Sequence, residues 1–147
     1  MKTIILLLLP ITLAAQKLDW LKPTKNQQQI FLLQFVSGFA DGTNQAIVHH
    51  RLGEGTDFWD IRYSWKNKYE DFDKGDTRAA YPGSKTWLVF TTDGFHLTRF
   101  VGRSADVATI CISIGDSWKE VKQKFIAATL GRSAGWVLSY YVVWREK

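Results

Sequence analysis

The sequence predicts a mainly α fold: three helices in an antiparallel bundle, with a long aromatic and charged loop between the first and second helices. Three stretches predict it. Between Ile30 and His50 an otherwise apolar segment carries Gln34, Asp41, Gln45 and His49, spaced seven, four and four residues apart, so that a helix brings them to one face. Lys85 to Ile114 reads as a second helix, with a candidate break at Val101-Gly102. Phe125 to Trp144 is predominantly apolar apart from Arg132.

The chain opens on Lys2 followed by an apolar run, Ile4 to Leu13, that closes on Ala14-Ala15, the pattern of a secretory signal peptide over residues 1–15. Residues 16–147 then form a single helical domain, within the usual size of one domain. Lys17 to Gln29 is polar around Pro23 and reads as a short lead-in. The first helix follows over about Asn26 to His50. Gly38 and Gly42 cost it intrinsic propensity but admit a close-packed neighbour, and Gly53 and Gly55 mark its end.

Glu54 to Lys85 interleaves Phe58, Trp59, Tyr63, Trp65, Tyr69 and Phe72 with charges, as an ordered surface or interfacial loop does. Pro82-Gly83-Ser84 ends it, with Ser84 as cap of a helix from Lys85. The same stretch also fits a hairpin, Trp87 to Thr91, Asp93-Gly94, Phe95 to Val101. The helix is preferred because it places Asp93, His96 and Arg103 on neighbouring turns. Gly115-Asp116-Ser117 is a turn, Asp116 or Ser117 caps the third helix, and Trp118 opens it. The apolar length from Phe125 suffices to span a bilayer, provided Arg132 faces the bundle interior or pairs with an acid there.

Seven Trp, nine Phe and a net charge of +5 suit a membrane interface. The basic residues are scattered, which argues against nucleic acid as a partner and leaves membrane lipids. Cys111, the only cysteine, permits no internal disulfide and reads as a small buried hydrophobe within Val107 to Ile114. No nucleophile elbow or phosphate-binding loop occurs, and Asp71, Asp73 and Asp76 lack the acidic twelfth position of a calcium loop, which is Pro82.

Ser64-Trp65-Lys66-Asn67-Lys68-Tyr69, Gly75-Asp76, Pro82-Gly83-Ser84, Leu88-Val89-Phe90 and Thr92-Asp93-Gly94-Phe95-His96 stand in series. Together they resemble a family of small uncharacterised bacterial proteins, Bacteroidetes-like and phage-associated, with a Ser-Trp-x-Asn-Lys-Tyr loop and a Thr-Asp-x-x-His segment. The resemblance covers roughly Phe35 to Phe100. It implies a helical, membrane-associated protein and carries no known reaction.

Asp93 and His96 share a helix face and form a carboxylate-x-x-His pair; with His49 and Asp41 they make a mixed nitrogen and oxygen set of the kind zinc or a similar divalent metal accepts. On this reading His49, His96 and Asp93 are metal ligands, and Asp41, Gln45 and Asp93 carry catalysis by orienting a metal-activated water. His50 leaves the stripe and suits the helix end. The expected function is an exported, membrane-associated helical protein of the cell envelope, periplasmic or inner-membrane, with a buried Asp/His site, in one form a metal-dependent hydrolase of an envelope substrate. Two alternatives stand beside it: a non-enzymatic membrane scaffold in which the same residues are interhelical hydrogen bonds, and a soluble exported α+β binding domain.

Overall fold

The computed structural model describes residues 23–145; the signal-peptide expectation lies outside them. The described chain is mainly helical, with three helices packing against one another and a small two-stranded sheet. Helix α1, Lys25–His49, starts five residues inside what reads as a lead-in, because Thr24 and Gln27 form a capping box: Thr24 Oγ1 accepts from the Gln27 amide at 3.3 Å and Gln27 Oε1 from the Thr24 amide at 2.8 Å. Helix α2 spans Gly94–Ser113 and helix α3 Trp118–Val137, the latter capped by Ser117 with Glu120 and continuing into a π-helical turn, Leu138–Val143.

The start of α2 corrects the sequence expectation of a helix from Lys85, and the hairpin alternative with it. Residues 85–92 are turns around a short 3₁₀ segment, Val89–Thr91. Asp93 has extended backbone and its carboxylate accepts the His96 amide at 2.9 Å, so the Asp-Gly pair opens a helix. The Gly94 amide, an orphan of that first turn, donates to the Phe58 carbonyl at 2.7 Å.

Helix α1 lies between the other two. Gln34 meets Thr109 of α2 and Asn44 meets Phe95 and Thr98, so α1 and α2 run in opposite directions. Gln27 meets Gln123 of α3 and Thr43 meets Ser139, so α1 and α3 run the same way. Glycines set the α1–α3 spacing: a Cβ on Gly38 would run into the Arg132 carbonyl, and one on Gly131 or Gly135 into the carbonyls of Phe31 or Phe35. Backbones this close gain dispersion contacts along their whole length and leave no room for large apolar side chains between them.

The consequence is a polar, small-residue interior and an apolar exterior. The buried hydrophobic residues are Ile30, Ala40, Ala46, Ile47 and Ala105, whereas Ser37, Thr43, Asn44, Asp93 and Ser139 are buried too. Outside, each helix carries an apolar row at helical spacing: Leu32 and Val36 on α1; Val107 and Ile110 on α2; Ile126, Leu130 and Val137 on α3, with Ile110 63% and Ile126 60% exposed. Cys111 is exposed within the α2 surface, contrary to the expectation of a buried hydrophobe, because α2 faces α1 through Thr98, Gly102 and Ala105 instead.

One expectation falls outright. No helix among the described residues is long and apolar enough to cross a membrane, so the transmembrane reading of Phe125 to Trp144 is withdrawn. Gly131, Arg132 and Gly135 serve the interhelical contact and dilute its hydropathy.

The connection between α1 and α2 is more ordered than an unstructured loop. Strands β1, Tyr69–Asp71, and β2, Asp76–Ala79, pair antiparallel around a left-handed Gly75. The acids of this turn are each paired: Asp71 with Lys74, Asp73 with Lys66, Asp76 with Arg78. Further back, the buried Asp60 carboxylate receives the Arg62 side chain and the amides of Arg62 and Gly55. Those donors, the Arg62 guanidinium first, hold it well below its ordinary 3.8. A depressed carboxylate stabilises the fold above its unfolded pKa and loses that contribution as pH falls through the folded one. Acid titration of unfolding should therefore show a loss of stability below about pH 4 that Asp60→Asn diminishes; an unchanged acid limb in the variant would refute the assignment.

Candidate functional site

Two polar constellations emerge, and they are separate. The first is centred on Arg132, which sits on the face of α3 that meets α1 because Gly131 and Gly135 bring the two backbones together there. Its Nη1 donates to Ser37 Oγ and Asp106 Oδ1, both at 2.9 Å, and its Nη2 to Asp41 Oδ2. Gln34 Nε2 closes the network on Asp106 at 2.9 Å and Thr109 at 3.0 Å, and Ser37 Oγ donates to Asp106 at 2.9 Å. One guanidinium thus ties all three helices, and one cation faces two carboxylates. Arg, with five donors in a fixed fork, suits such a junction as Lys does not. Among the described residues no buried side-chain polar atom lacks a partner.

The second is Asp93 with His96 at the start of α2. His96 Nδ1 lies 2.8 Å from Asp93 Oδ2, and Thr92 Oγ1 donates to the same carboxylate oxygen at 2.8 Å. Asp93 is fully buried and His96 half-exposed. A carboxylate that accepts from Nδ1 fixes the ring and leaves Nε2 as its outward nitrogen. The motif residues of the preceding loop build this platform: Asn67 Nδ2 donates to the carbonyls of Asp57 at 2.7 Å and Thr92 at 3.3 Å, and Ser84 Oγ to that of Lys68 at 2.8 Å. The Ser-Trp-x-Asn-Lys-Tyr and Thr-Asp-x-x-His segments therefore meet.

The four-residue site expected from sequence is not assembled. Asp41 belongs to the Arg132 network, Asp93 and His96 to the platform, and Gln45 and His49 are exposed. No group of three or more His, Cys, Asp or Glu among the described residues is placed to hold a metal ion. Of Gln34, Asp41, Gln45 and His49, Gln34 is buried, Asp41 half-buried and the last two exposed; α1 turns Ser37, Ala40 and Asn44 toward α2 instead. His50 closes the helix as its C-cap, Nδ1 donating to the Trp144 carbonyl at 2.7 Å while its ring packs on Tyr140.

Sequence reasoning missed Asp106. The signal was present: a single acid in the run Ala105 to Ile114, opposite the single cation of Gly131 to Trp144. No protein family, curated protein or solved structure matches the chain.

Proposed function

We propose that the chain is an exported, membrane-associated scaffold of the cell envelope: an up-down-up helical bundle that seats its apolar outer rows in the interfacial zone of a lipid surface while its interhelical polar network fixes helix register. The observation that carries this reading is the inverted distribution of polarity. The buried polar side chains include Gln34, Ser37, Thr43, Asn44 and Ser139, joined through Ser37 to the half-exposed Arg132–Asp106 pair, and the exterior is built from Ile110, Ile126, Leu130 and Val137. Exposed apolar surface of this extent marks contact with lipid or protein rather than water. Trp87 and Trp118, both 73% exposed, have the amphipathic rings favoured at headgroup level, and the net charge of +5 favours anionic lipid.

The scaffold reading is preferred over a metal-dependent hydrolase because the acids of the interior are already matched by Arg132, and the Asp93–His96 pair supplies only two of the four ligands that reading needs. Flotation with phosphatidylglycerol-containing vesicles tests the proposal. The full chain is expected to float with the vesicles and to be displaced little by 1 M salt, since its apolar rows rather than its charges make the contact, and Ile126→Asp with Leu130→Asp should release it. A folded protein that stays at the bottom of the gradient would overturn the lipid reading.

A further inference from the structure

A groove of about 600 Å³ runs along the outer side of α2, between that helix and the segment 87–90. Its volume lies in the range of small-molecule sites. Its walls are apolar: Phe90 and Phe100 stack at 4.0 Å with their rings 12° apart, and Trp87 and Val107 extend the surface on either side. One flank is cationic. His96, Arg99 and Arg103, three and four residues apart, rise along a single face of α2 and all line the groove. Arg99 stands 5.1 Å over the Phe95 ring, and neither Arg99 nor Arg103 is ion-paired with another described residue.

We propose that this groove binds a single-chain phospholipid, its acyl chain along Phe90, Phe100 and Val107 and its phosphate between Arg99 and Arg103. The charge pattern selects the occupant. Two guanidiniums one helical turn apart can each take oxygens of one phosphate, whereas a carboxylate fills a single guanidinium fork. The chain of apolar wall residues beside them suits one alkyl tail and gives inorganic phosphate nothing to bury. His96, its Nδ1 spent on Asp93, presents Nε2 as the third polar contact for the headgroup. The proposal deepens the lipid reading by naming the lipid class, and it rests on that reading only for its biological setting.

Isothermal titration of the full chain with dodecyl phosphate below its micellar threshold tests it, with inorganic phosphate and dodecyl glucoside as controls. Saturable one-to-one binding of dodecyl phosphate is expected, weakened at least tenfold in Arg99→Gln with Arg103→Gln and in Val107→Asp, with dodecyl glucoside and inorganic phosphate binding at least tenfold more weakly than dodecyl phosphate. All three substituted positions are exposed, so the variants retain the fold, which circular dichroism verifies. Equal binding of dodecyl glucoside, or unchanged affinity in the arginine variant, overturns the proposal. Dodecyl phosphate binding without vesicle flotation would support the groove and remove the surface-seating reading; flotation without dodecyl phosphate binding would do the reverse.

Discussion

Replacing Gly38 by alanine should cost about 3 kcal/mol or more, a large share of the roughly 5 to 15 kcal/mol that holds a domain together. The added methyl would lie 2.8 Å from the Arg132 carbonyl carbon and 2.9 Å from its Cα, and would overlap the carbonyl oxygen outright. Backbone cannot rotate aside as a side chain does, so α1 and α3 must part, and the contacts of Gly131 and Gly135 loosen with them. Gly102→Ala provides the control. Its Cβ would meet Asp41, Ser37 and Ala40 at 3.6 to 3.7 Å, ordinary contact distances, and α2 is helical there. Higher helix propensity of alanine then predicts no loss, and a gain of up to about 1 kcal/mol. Denaturant unfolding of the two variants separates steric closeness from propensity: if both shift stability alike, the α1–α3 interface is not as close as described.

What the sequence made legible follows from this packing. The apolar runs from Ile30 and from Phe125 located α1 and α3, and Ser117 marked the start of α3; the start of α1 is set by the Thr24–Gln27 capping box inside the polar lead-in. The Gly38–Gly42 spacing announced a close neighbour, and Arg132 announced an acid. Which acid was not legible from one helix alone: Asp41 carries a visible stripe, while Asp106 is a single residue whose partner is known only once α2 and α3 are placed. The second helix was misplaced at its start because Ser84 and Asp93 are both good caps, and the choice falls to tertiary bonds: Ser84 Oγ is drawn to the Lys68 carbonyl, and the Gly94 amide to that of Phe58. The residues expected to share one site stand apart in the fold. Asp41 is taken up by Arg132, Gln45 and His49 are exposed, and Asp93 and His96 form their own pair at the start of α2.

Substituting Arg132 by methionine should destabilise the protein by roughly 2 kcal/mol, between the value of a surface ion pair and that of a fully buried one. Its side chain is 42% exposed and those of Asp41 and Asp106 43% and 38%, so water partly solvates the acids it abandons. The decisive comparison is with the neutralised network. Once Arg132 is methionine, Asp41→Asn and Asp106→Asn remove the two unmatched negative charges that now face each other across α1 and α2, and stability should recover toward that of the unaltered chain. In the presence of Arg132 the same two substitutions should instead destabilise. Denaturant midpoints for the four combinations give the coupling directly, and additive effects would show that Arg132 does not hold the acids. Arg132→Lys sharpens the point: charge is kept but the fork is lost, and a single ammonium cannot serve Ser37, Asp41 and Asp106 together. A neutral network that recovers stability and keeps vesicle flotation would show that the packing of small residues between α1 and α3, rather than the charges, carries the scaffold.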